Sequence, residues 1–265
     1  MQLLQHLDQE WVFRDADTPF EAVEEADLAV DLWHSGELLR AEEKFLSVIE
    51  EHPSHIDAIH HYSLFLESTA RVVEAYLACR AAVSVGLHVI PKEFSWESSK
   101  LSWSLLDNRP FMRAYHNLGL YNLRQNRLNE AEQIFSNLLA ANPNDNLGVR
   151  YLLPKLWFCS GRPALVEALC KNYDEPTPEI SYSLALSLSL QGKTDKARKA
   201  MKTAVKEMPL VRKELLKKRH PKPKNAQEGF ITHGGQDQAY AYWKEYGAFW
   251  AASPTAMELL LGIGK

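Results

Sequence analysis

AYHNLGLYNLRQNRLNEAEQIFSNLLAANP, residues 114–143, is the stretch that decides how this chain folds. Tyr115, Leu118 and Gly119 set a large, an apolar and a small side chain on one helical face. Ala131, Phe135 and Leu138 set a small, a bulky and an apolar one on the next, and Pro143 closes the unit. The same frame returns at Leu28, Ala29, Leu32, Ala41, Phe45, Val48 and Pro53. It returns again at Leu184, Ala185, Leu188, Ala197, Met201, Ala204 and Pro209. A unit of this size cannot bury its apolar face alone, so self-similarity at a fixed period means stacked helix pairs sharing one continuous core.

That frame resembles the tetratricopeptide repeat. The expected fold is an all-α, right-handed tetratricopeptide-repeat solenoid of about five helix pairs, with extra N- and C-terminal helices. It is read as a single domain over residues 1–265. An N-terminal amphipathic helix lies in 1–21, running from Met1 to Val12. Thr18-Pro19 then starts a new helix, threonine as N-cap and proline at its first position. Repeats one and two fill 22–87, with Gly36 at the first inter-helix turn. Repeat two is degenerate, keeping Tyr62, Leu66, Ala75 and Ala82 but sliding its proline to Pro91. A Ser- and Trp-rich insertion occupies 88–108 and is too short for a further pair. Repeats three to five fill 109–208, with Pro154 expected to kink or shorten the first helix of repeat four and Gly192 at the turn of repeat five. Residues 209–265 carry a basic, proline-broken linker and C-terminal capping helices, the first of them aromatic at helical spacing (Tyr242, Tyr246, Phe249, Trp250).

Composition narrows the function. Apolar residues make up 46% of the chain and charged ones 24%, with a net charge of −4. No run approaches the roughly 20 apolar residues that cross a bilayer, and the N-terminus lacks the basic start of a signal peptide. Cys79, Cys159 and Cys170 have no metal-type spacing and lie in apolar helical context, where reduced buried thiols are usual. A cytoplasmic protein is expected. Charge is lopsided: residues 1–51 hold fourteen acids against three bases, and 211–224 hold seven bases against one acid. Either segment can be an interaction face, or a solvated helix face and loop.

From Asn108 onward, NRPFMRAYHNLGLYNLRQNR, NPNDNLGVRYLLP, PLVRKELL and GGQDQAYAYWKEYGAFW follow one another in order. This order resembles the suppressor of tumorigenicity seven family, and bacterial repeat proteins sharing its C-terminal half, over about residues 108–261. The resemblance supports the fold and brings no catalytic residue with it.

No GxSxG, HExxH or phosphate-cradling glycine loop is present, so no catalytic residue and no cofactor are assigned. The histidines His52, His55, His60 and His61 lack a completing carboxylate or cysteine set beyond Asp57 with His61, so no metal site is assigned either. By the geometry that the repeat resemblance implies, the first helix of each pair lines a concave face. Val23, Ala26, Val30 and Trp33 take the inward positions in repeat one, and Asp57, His60, Leu64 and Glu67 in repeat two. The partner-binding candidates are Arg113, His116 and Leu120 in repeat three, Arg150 and Trp157 in repeat four, and Glu179 and Tyr182 in repeat five. Arginine grips carboxylates in fork geometry, and Trp and Tyr supply contact area. Arg150 has a second reading, in which it pairs with Asp145 or Glu179 and holds repeats together. Ala26 and Val30 cannot hydrogen-bond a terminal carboxylate, which disfavours a chaperone-type carboxylate clamp. The basic run 211–224 lacks interleaved aromatics, so nucleic acid is a weak partner for it. The chain therefore reads as a non-catalytic scaffold or adaptor that binds another protein or peptide on its concave face. The alternatives are an RNA- or ribosome-associated factor using 211–224 and, more remotely, an enzyme with an unrecognised site.

Overall fold

A computed structural model describes residues 1–173, 175–224, 226–227 and 229–263. The chain is all-α apart from one hairpin and folds as two compact units, Met1–Val149 and Arg150–Lys265. The sequence reads as a single domain with an insertion at 88–108.

The N-terminal unit holds three helix pairs: α1 (Phe20–His34) with α2 (Leu38–Glu51), α3 (Ile56–Ser68) with α4 (Val72–His88), and α5 (Arg109–Arg124) with α6 (Leu128–Ala141). The C-terminal unit holds α7 (Leu153–Cys159) with α8 (Pro163–Asn172) and α9 (Pro178–Leu190) with α10 (Thr194–Glu207). It continues with α11 (Pro209–Leu215), α12 (Gln236–Ala251) and α13 (Pro254–Gly262). The repeat frame sits where the spacing puts it. Ala29, Ala41, Phe45, Ala131, Phe135, Ala185, Ala197 and Met201 are each fully buried. Gly119 is small because the ring of Phe135 lies against it; a Cβ there would stand 2.5 Å from Phe135 Cε1.

Each pair turns through the same motif. Gly36, Ala70, Asn126, Gly161 and Gly192 all have left-handed backbone, with φ between +57° for Asn126 and +85° for Gly36. The next N–H then reaches back over the helix end: Glu37 to Leu32 O, Arg71 to Leu66 O, Arg127 to Asn122 O, Arg162 to Trp157 O and Lys193 to Leu188 O. This satisfies carbonyls that the last turn leaves open. Repeat four, nearly invisible in sequence, declares itself by this turn. Pro154 does not kink its first helix; it sits in the first turn of α7 and leaves the helix short.

Three expectations are corrected. Residues 1–12 are not a helix: β1 (Gln2–Leu7) pairs antiparallel with β2 (Glu10–Arg14), turning at Asp8 with φ 35°. A helix would have buried a Leu4, Leu7 and Trp11 stripe, whereas Leu4 and Leu7 are exposed and Trp11, Val12 and Phe13 are consecutively buried. Three buried residues in a row require cover on both faces. Trp11 meets Phe94 of the insertion at 5.8 Å between ring centroids, and Phe13 meets Phe111 of α5 at 4.8 Å. The insertion adds a bridge, Trp11 N–H to Lys100 O and Lys100 N–H to Gln9 O, both 2.8 Å. Second, Thr18 donates to Asp15 and caps nothing, and Pro19 takes the cap position of α1. Third, Cys159 is exposed, unlike the buried Cys79 and Cys170. No described helix is long and apolar enough to cross a membrane.

Candidate functional site

In the N-terminal unit the first helices α1, α3 and α5 lie side by side. Two ion pairs join α3 to α5. Near one end, Arg113 Nη2 donates to both carboxylate oxygens of Asp57, at 2.8 and 3.0 Å. Near the other, Glu67 accepts from the Tyr121 hydroxyl at 2.8 Å and pairs with Arg124. Between them along α3 and α5 come His60 and Leu64, His116 and Leu120. His116 packs against the Phe135 ring at 5.7 Å, and burial lowers its pKa. His60 is buried and held down to about 4, chiefly by desolvation, with His61 and Arg113 adding to the effect. Neither ring nitrogen of His60, nor Nε2 of His116, has a hydrogen-bond partner among the described residues. Near neutral pH the strip is therefore uncharged, and Leu64, Leu120, Leu123, Val30 and Trp33 along these helices remain half-buried.

A cleft of about 400 Å³ opens beside Asp57, lined by Phe13, Asp15, Val23, Ile56, Leu106 and Asp107 among others. The hairpin supplies part of its wall, which the helical expectation for 1–12 left out. Arg113 is thus engaged within the chain; it is a tie between repeats two and three and no free anchor.

The C-terminal unit treats its first helices differently. Arg150 Nη2 donates to Glu175 at 3.0 and 3.2 Å and to the Tyr151 hydroxyl at 2.8 Å. Its guanidinium lies over the rings of Tyr151 and Tyr173, at 4.4 and 5.2 Å. Glu175 is a partner that neither sequence reading of Arg150 included. Burial and Glu175 push the Tyr151 hydroxyl up to about 12. Trp157 is buried on α7, and Tyr182 has no exposure at all. The Tyr182 hydroxyl donates to Met208 O at 2.8 Å and accepts from the Arg212 N–H at 3.1 Å. Its ring packs on Tyr242 and Trp250 of α12, at 5.8 and 6.1 Å. Glu179 stays half-buried, its carboxyl raised by desolvation.

Helix α12 covers Tyr182 of α9 and Phe158 of α7. Phe158 of α7 meets Tyr246 and Phe249 at 6.3 and 5.4 Å, Lys155 pairs with Glu245, and the Tyr246 hydroxyl donates to Tyr151 O at 3.3 Å. The aromatic helix expected as an end cap reaches from α9 to α7, so the Tyr182 ring faces the chain's own helix, and Tyr182 and the buried Trp157 lie in the core where an exposed partner contact was expected. The basic segment is also partly engaged. Arg212 donates to Leu260 O, while Lys217 and His220 pair with the buried Glu214. Lys213, Lys218, Arg219, Lys222 and Lys224 remain exposed. No group of three or more His, Cys, Asp or Glu among the described residues is placed to hold a metal ion.

A family model described as Transcriptional repressor TCF25 matches residues 38–244. That span takes in most of the segment resembling the suppressor of tumorigenicity seven family and is consistent with the resemblance. Two solved structures share the fold. One is the MamA protein, at 14% identity, covering 74% of this chain and 96% of its own, with a TM-score of 0.51. The other is a tetratricopeptide repeat protein from Parabacteroides merdae ATCC 43184, at 14% identity, covering 88% and 77%, with a TM-score of 0.52. No curated protein matches the chain.

Proposed function

The chain belongs to the family described as Transcriptional repressor TCF25, and from that premise we propose that it is a non-catalytic scaffold binding a partner protein or peptide on the first-helix face of its N-terminal unit. One observation carries this reading. Val30, Trp33, Leu64 and Leu120 are half-buried on helices against which, among the described residues, no helix beyond the three pairs of their own unit packs closely, whereas the first helices of the C-terminal unit bury theirs under α12. Apolar and aromatic surface on a packed helical frame is where hot spots form, and the Asp57–Arg113 and Glu67–Arg124 pairs tie α3 to α5 at either end of it. The family description makes assemblies that act on transcription the first place to seek the partner, alongside the cytoplasm expected from the cysteines. The RNA- or ribosome-associated alternative loses support because Arg212, Lys217 and His220 of its basic segment are engaged internally.

The test is affinity capture from the chain's own cells with the parent and with Trp33→Ala/Leu120→Ala. The variant is expected to lose specific partners by about tenfold or more while keeping the parent's helical circular dichroism. Undiminished capture by a folded variant sinks the proposal.

A further inference from the structure

On the C-terminal unit, α8, α9 and α10 enclose a groove of about 380 Å³ that none of the readings above uses. Its floor is aliphatic: Ile180, Leu184 and Leu188 of α9 with Ala200 of α10. Its charged lining is unevenly satisfied. Glu167 is held by Lys171, Lys193 and Gln191, Glu175 by Arg150, and Glu207 accepts from the Ser181 hydroxyl. Lys196 and Lys199, on the α10 rim, have no carboxylate within ion-pair distance among the described residues, and both are exposed. Arg198, Lys202 and Lys206 of the same helix are likewise exposed without an ion pair among the described residues. The acids of α10 are only Asp195 and Glu207.

We propose that this groove binds an acidic amphipathic segment of a partner protein, independently of the face described above. Aliphatic side chains of the segment fill the Ile180–Leu184–Leu188 floor, and its carboxylates face Lys196 and Lys199. The volume suits a few side chains and falls within the range of ordinary ligand clefts. The partner's acidity follows from complementarity: the lining acids already have donors within the chain, and the free charges are cations. Nucleic acid fits less well, because the floor is aliphatic where single-stranded binders stack bases on aromatic rings, and the lining's tyrosine, Tyr173, already lies under the Arg150 guanidinium. The comparable seam in the N-terminal unit, beside Leu118, is rimmed by Arg80 and His88 and has no lysine on its wall; it serves as the internal contrast.

The experiment uses the full chain and a fluorescent helix-forming peptide of roughly 15 residues, with Leu on one face and Glu on the other. The parent is expected to bind it with an affinity that falls as salt rises. Lys196→Glu/Lys199→Glu lies on exposed positions, so the fold is expected to survive and circular dichroism checks it; binding is expected to fall at least tenfold. A second peptide with Leu replaced by Ser at unchanged charge is expected to bind the parent at least tenfold more weakly. Failure of the parent to bind the first peptide overturns the proposal, as does undiminished binding by the folded double variant. Equal binding of the Ser peptide, or tighter binding of a single-stranded RNA of equal charge, overturns it in favour of a non-specific cationic surface.

Discussion

Asn108 shows how much one side chain settles here. It is fully buried, and its amide accepts from the Phe13 N–H at 3.0 Å while donating to Trp11 O and Ser102 O at 3.0 and 3.1 Å. It thereby fastens the hairpin to the insertion. Asn108→Ala leaves those backbone groups buried without partners, so a loss of about 2–4 kcal/mol is expected in denaturant unfolding. Ala70 gives a prediction of opposite sign. It is the one alanine among the left-handed turn residues, with φ 63°, and a non-glycine residue there costs about 1 kcal/mol. Ala70→Gly should therefore stabilise the protein by about 0.5–1 kcal/mol, read as a rise in Tm. Repeat two thus keeps the left-handed turn of the other repeats although its sequence has no glycine there. Arg113 is assigned to the concave face from the repeat frame alone. Its engagement with Asp57 is not legible in that frame, because α3 and α5 are separated in sequence by a whole helix.

Among the elements, α5 and α6 test the packing frame. Gly119→Ala would place a Cβ 2.5 Å from Phe135 Cε1, and Ala131, fully buried, leaves no room for leucine. Each substitution is expected to destabilise by about 1–3 kcal/mol through overpacking, and an unchanged Tm for both would overturn the register. These elements were readable because their periodicity is local. The hairpin was not, since its cover comes from Phe94, Lys100 and Asn108, some 80 to 100 residues later, and a short apolar run does not by itself separate strand from helix. The aromatic spacing of α12 was plain, but nothing in it said which face of which repeats it would cover. Deleting residues 236–265 is expected to expose the rings of Tyr182 and Phe158 and to produce aggregation, measured by light scattering.

At the scale of the molecule, the two units titrate through different groups. Burial lowers the pKa of His55, His60, His61 and His116, all in the N-terminal unit and the first three within reach of the Asp57 charge. For His60 the folded value is about 4 against 6.5 unfolded. Below 6.5 the unfolded chain binds a proton that the folded one refuses, so stability present above pH 6.5 declines as pH falls toward 4. In the C-terminal unit, Glu167 is lowered from 4.5 to about 2 by Lys171 and Lys193. Its contribution persists above 4.5 and is lost as pH falls through 2. Hydrogen exchange at pH 5 to 6 should show protection falling in the N-terminal unit first, and His60→Gln should flatten that dependence; simultaneous loss in both units counts against the assignment. The embrace of α7 by α12 also has a consequence in time. Tyr246 closes on Tyr151, 95 positions earlier. On a ribosome adding about 5–20 residues per second, α7 has waited roughly 5–20 seconds before its cover exists. For that interval an aromatic surface destined for the interior is water-facing on a growing chain, so the quality of this protein's synthesis depends on what shields Phe158 and Tyr182 until α12 arrives.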